Sequence, residues 1–136
     1  MNKLKTKTVA YEGSFLRLHN TGWGCGYVII PKNHPILIKR LINIYDGCNF
    51  YLQPDGFSDE ITYCEEQQDS DNKYTGDFKI GFDTAHSWNN SSHDEAWVLE
   101  KTEELKICVN NYTEADAKSE AEKQILSTIN SFKNYL

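Results

Sequence analysis

The chain has 136 residues, of which 39% are hydrophobic and 12% aromatic, and a formal net charge of −6. That length fits one domain, and the apolar content excludes wholesale disorder. No run approaches the roughly 18 apolar residues of a membrane span, and the charged start Met1-Asn-Lys-Leu-Lys5 lacks the apolar stretch of a signal peptide.

The charge is unevenly spread. Residues 1–40 carry seven Lys or Arg against Glu12 alone, a charge of +6, whereas residues 41–136 carry −12. An acidic chain is a poor partner for duplex nucleic acid, because neutralising phosphates needs clustered cations. The basic N-terminal part can still hold a small anion, and halves of opposite sign also suit self-association. Cys25, Cys48, Cys64 and Cys108 form no C-x-x-C pair. They read as small buried thiols, and neither a structural metal nor a cofactor is expected.

In chain order, Lys5–Tyr11 alternates as a strand, Glu12-Gly13-Ser14 is a turn, and Phe15–His19 alternates again, so a hairpin is the simplest connection. Gly22, Gly24 and Gly26 bracket Trp23 and predict a tight bend or bulge. Tyr27–Ile30 reads as a central strand stopped by Pro31. The isoleucine-rich stretch 36–44 fits a short helix or irregular cover, followed by a strand over 49–52 and a turn at Pro54-Asp-Gly56. Strands are predicted over 60–65 and 78–82, joined across a polar, exposed loop at 66–73.

Helical signals follow. Ser92-His-Asp-Glu95 has the form of a capping box for a helix from about His93 to Val109, with Val98, Thr102, Leu105 and Val109 inward. Thr113 caps the last helix, with Glu114 and Asp116 in its first turn. Ala117, Ala121, Ile125, Ile129, Phe132 and Leu136 form its apolar stripe, which either packs on the domain or joins a homodimer. The whole is a single α+β domain: an antiparallel sheet over about 1–92 and two helices packed on it over about 93–136.

The densest chemistry lies at the end of the 78–82 strand. Asp83 and His86 sit where an apolar run turns, so the carboxylate could orient the imidazole as a general base; alternatively, Asp83 caps the turn and His86 bonds a backbone carbonyl. His86, His93 and Asp94, joined by His19 or His34, match no established metal-ligand spacing. Among the aromatics, Trp23 and Trp88 lie in polar or glycine-rich loops and are the expected exposed pair, while Tyr27, Phe82 and Trp97 suit the core. A ligand site is expected around Trp23, Phe82, Asp83, His86 and Trp88, with Arg17, Lys32 or Arg40 supplying positive charge toward phosphate.

Gly26-Tyr-Val-x-x-Pro31-x-x-His34-Pro35, Ile61-Thr-Tyr63 and Ile80-Gly-Phe-Asp-Thr-Ala-His86 together resemble a family of small phage and prophage proteins, over roughly residues 22–105. The chain departs from that pattern at Asp59-Glu60, where the family has a glycine pair preceded by histidine, and the helix from Thr113 is an addition. The resemblance implies a phage accessory protein of the host cytoplasm that counters host defence. It would bind, and sequester, a small nucleotide-like anionic ligand or immune signal. The alternatives are a protein–protein inhibitor of a host defence protein and a hydrolase using Asp83 and His86.

Overall fold

The computed structural model describes residues 4–12, 21–42 and 52–135. Four antiparallel strands, β1 (Lys5–Ala10), β2 (Gly24–Ile30), β3 (Tyr63–Gln68) and β4 (Tyr74–Phe82), form one sheet in the order β1-β2-β4-β3. A 3-10 turn (Pro35–Leu37) leads into α1 (Ile38–Ile42), and two helices close the chain, α2 (Glu95–Asn110) and α3 (Glu114–Lys133). The architecture is therefore α+β. Among the described residues no helix is long and apolar enough to cross a membrane.

Alternation along the strands decides which side is buried. Val28 and Ile30 of β2 and Ile80 and Phe82 of β4 face inward and form one core with Val98, Leu105 and Val109 of α2, and Phe78 of β4 is buried as well. Leu52, Phe57 and Ile61 fill the same core. Thr102 is buried among them, and its hydroxyl is satisfied by donating to Val98 O at 2.7 Å. These four inward residues of α2 are the ones its periodicity predicts.

The bend falls at Trp23, and Gly24 and Gly26 lie beyond it within β2. A Cβ on Gly26 would stand 2.0 Å from Thr102 Oγ1 and 2.7 Å from Phe82 Cζ. The glycine is required because α2 and the Phe82 ring both press on the strand there. β1 pairs with β2 from Lys5↔Ile29 to Ala10↔Gly24. The expected strand at Phe15–His19 lies outside the described residues, as do Gly13, Ser14, Cys48 and residues 43–51.

Further boundaries differ from expectation. β3 starts at Tyr63 rather than residue 60 and runs into the stretch expected to be loop. The remaining turn is short: Asp69 Oδ1 accepts from the backbone N of Asp71 and Lys73, and Asn72 takes φ 60°. Such Asx bonding replaces ladder bonds at a turn. At α2 the cap is Asp94, whose side chain accepts from Trp97 N, while Ser92 is drawn off to Asn90 Oδ1. Thr113 caps α3 as expected, in a reciprocal box with Asp116.

α3 packs on α1 and the 3-10 turn, held by Lys39 Nζ, 2.7 Å from Glu120 Oε1. No residue of α3 is buried, and Ile125, Leu126, Ile129 and Phe132 are exposed.

Candidate functional site

β4 ends at Phe82, and the next turn carries Asp83, Thr84, Ala85 and His86. Asp83 shapes the turn. Its Oδ1 accepts from Ala85 N at 3.0 Å and its Oδ2 accepts from the Thr62 hydroxyl at 2.8 Å. The backbone of His86 is also fixed, donating to Asn89 Oδ1 at 2.9 Å, and Asn89 is itself buried. The turn is thus rigidly supported from both sides.

His86 Nε2 approaches Asp83 Oδ1 at 3.2 Å, close enough for an ion pair when the ring is protonated. The same nitrogen is shielded from solvent and makes no aligned hydrogen bond. The distance and the alignment disagree, and the alignment decides what the pair can do. Asp83 Oδ1 is already directed at Ala85 N. The two groups are electrostatic neighbours, and Oδ1 keeps a lone pair for the ring, but the alignment of a hydrogen bond is not made. Nε2 is covered, so a substrate would have to displace that cover to reach it.

The other feature of His86 is its face. It stacks on Trp88 with ring centroids 4.3 Å apart and planes within 3°. Trp88 remains 58% exposed. It borders a shallow groove of about 640 Å³ lined by Gln53, Ser58, Asp59 and Glu60. Gln53 is held by Ile61 N and Asp59 O, so the floor is preformed. The Ser58 hydroxyl meets Glu104 Oε1 at 2.6 Å and Lys101 Nζ at 2.7 Å. Burial raises the Glu104 carboxyl, but the Ser58 hydroxyl and amide and Lys101 outweigh it and hold the group below its usual range. The rim is anionic, and Lys101 is tied to Glu104 at 3.0 Å.

The expected site residues are only partly brought together. Asp83, His86 and Trp88 form one cluster. Phe82 is core, packed against Phe57 and Trp97. Trp23 is not exposed: it packs against the core, and its backbone bonds Tyr11 N and His93 O. Its glycine-rich setting reflects strand packing, so the exposed pair reduces to Trp88. Arg40 stacks over Phe78 at 4.7 Å and shares a second groove, of about 570 Å³, with Lys32. Phe78 precedes Phe82 by four strand residues, about 13 Å, so this charge does not serve Asp83 and His86. Arg17 lies outside the described residues.

Among the described residues the histidines do not converge either, and His19 lies outside them. His34 Nδ1 accepts from Ile36 N, His93 Nδ1 accepts from Asn90 N, and Asp94 caps α2. Among the described residues no group of three His, Cys, Asp or Glu could hold a metal ion. Sequence reasoning missed Thr62, Asn89 and the Asp59–Glu60 rim. Asp59 and Glu60 were marked by their departure from the family pattern, whereas Thr62 and Asn89 show their role only in three dimensions.

In comparisons with known proteins, no protein-family model, no curated protein and no solved structure matches the chain. The resemblance to small phage proteins stands on its motifs alone.

Proposed function

We propose that this chain is a non-enzymatic binding protein that holds a planar, nucleobase-like ring against Trp88. The supporting observation is the His86–Trp88 stack, 4.3 Å between centroids, beside a preformed polar groove. An indole already fixed by a neighbour loses little freedom on binding, which favours capture of a flat ligand. The carboxylate of Asp59 at the rim, whose Oδ1 accepts from Glu60 N at 2.8 Å, keeps acceptor capacity for a ring that presents N–H donors. It also repels phosphate, so the base, not the phosphate, is the part recognised. This narrows the anionic ligand expected from the arginines, since Arg40 belongs to another groove.

Capture without turnover accords with the covered His86 Nε2. In a phage accessory protein of the kind the motifs imply, such capture in the host cytoplasm would remove a nucleotide-derived signal. The test is a thermal-shift and calorimetric titration with nucleosides and their 5′-monophosphates. At least one nucleoside is expected to bind more tightly than its monophosphate, be recovered intact, and lose at least tenfold in affinity in Trp88→Ala, in line with about 1–3 kcal/mol per stacked base. No binding of any nucleoside at millimolar concentration, or a Trp88→Ala affinity within twofold of the parent, would sink the proposal.

A further inference from the structure

The outer face of the sheet carries a second arrangement, independent of the Trp88 groove. Cross-strand register places Lys7, Tyr27, Gly81 and Tyr63 in one row and Lys5, Ile29, Lys79 and Glu65 in the next. Cross-strand partners share a face, so these side chains stand on the side opposite α2.

The row is built around Gly81. A Cβ there would lie 2.3 Å from Tyr27 Cδ1 and 2.8 Å from Cε1, so the Tyr27 ring occupies the space that a side chain at this position would need. Tyr63 meets Tyr27 edge-on with centroids 5.3 Å apart. Lys79 Nζ lies 4.8 Å from the Tyr27 centroid and 5.2 Å from that of Tyr63. Lys5 and Lys7 are exposed. Burial raises the Tyr63 phenol first, and its bond to Glu65 raises it further, to about 12, so the phenol stays neutral at neutral pH.

Lysines on an edge strand can be explained as guards against strand addition, and that reading covers Lys5 and Lys7 of β1. It does not reach Lys79, which lies on central β4 between two tyrosines. On a chain of net charge −6, three ammonium groups share this face with two aromatic rings. Among the described strand residues, the carboxylates on the same face are Glu65, taken by the Tyr63 hydroxyl, and Asp77, which accepts from Lys32 N.

We infer that this face binds single-stranded nucleic acid, with bases on Tyr27 and Tyr63 and phosphates along Lys5, Lys7 and Lys79. Aromatic platforms flanked by cations bind single strands with little sequence preference, and a duplex hides the base faces that the tyrosines need.

The test is fluorescence anisotropy with 5′-labelled dT15 across a salt series. Neutralising about three phosphates predicts a slope of log K against log salt near −2, by the roughly −0.7 per contact of single strands. Lys5→Glu/Lys7→Glu, two exposed positions that leave the core untouched, is expected to weaken binding at least tenfold and flatten that slope. Tyr63→Leu is expected to weaken it at least fivefold at unchanged slope. Three results would overturn the inference: no binding at about 25 mM salt, binding indifferent to the lysine pair, or duplex DNA bound as well as dT15. Competition by poly-glutamate equal to that by unlabelled dT15 would also overturn it, and would assign the face to an acidic protein.

Discussion

Thr84 and Gly24 exchange two hydrogen bonds: Thr84 Oγ1 donates to Gly24 O at 2.7 Å, and Gly24 N donates back to Oγ1 at 3.2 Å. A hydroxyl can serve both ends because it has one proton and spare lone pairs. The backbone of Thr84 is equally engaged. Its N–H donates to the Tyr11 hydroxyl at 3.0 Å, and its carbonyl accepts from Gly22 N at 2.8 Å. One fully buried residue thus ties the turn after β4 to the start of β2 and the end of β1. The candidate site inherits its rigidity from this junction.

Thr84→Val keeps the shape and removes both side-chain bonds, leaving the Gly24 N–H and C=O without that partner. A loss of roughly 2–4 kcal/mol is expected, since each buried polar group left unsatisfied costs about 1–3 kcal/mol. Thr84→Ser should retain most of the stability. Urea unfolding of the three proteins measures this; a Thr84→Val protein as stable as the parent would show that the strands are joined by other means.

Stability should fall on mild acidification through His34. Its Nδ1 accepts from Ile36 N at 3.1 Å and caps the 3-10 turn, and burial lowers its pKa from the usual 6.5. As pH falls below 6.5 the unfolded chain takes up this proton first. The stabilising contribution is therefore complete above 6.5 and is lost as pH falls through the folded-state value. Glu104 and Asp116, also held low, act in a more acid window. Melting temperatures between neutral and moderately acid pH should decline for the parent and decline less for His34→Asn, which keeps a cap acceptor without titrating. Identical profiles would contradict this role.

Lys39 is the tether of α3. Its ammonium lies 2.7 Å from Glu120 and 3.3 Å from Asp55, with the Tyr112 ring centroid 5.2 Å away. Burial raises the Tyr112 phenol first, and Glu120 raises it further. Lys39→Met should cost about 1–3 kcal/mol, less than the 3–5 kcal/mol of breaking a fully buried pair, because Asp55 is largely in water. Hydrogen exchange would localise the effect: protection is expected to drop in the first half of α3 and to persist in β2 and β4. Uniform loss across the sheet would mean that Lys39 supports the whole core.

Features set by local spacing were legible in the sequence. The burial of Val98, Thr102, Leu105 and Val109 follows from helical periodicity, the cap at Thr113 from side-chain reach, and the central position of β2 from its unbroken apolar run. Each depends on residues within a turn or two. What needed the tertiary structure depends on register between distant segments. Gly26 is a glycine because α2 and Phe82 converge on it. Trp23 is packed while Trp88 is exposed, although both sit in similar surroundings in the sequence. Arg40 lies with Phe78 and not with His86. Lys5, Lys7 and Lys79 meet on one face only because β1, β2 and β4 pair as they do. A one-residue slip along any strand would send its alternate side chains to the opposite face, and no local pattern at Lys79 records that choice.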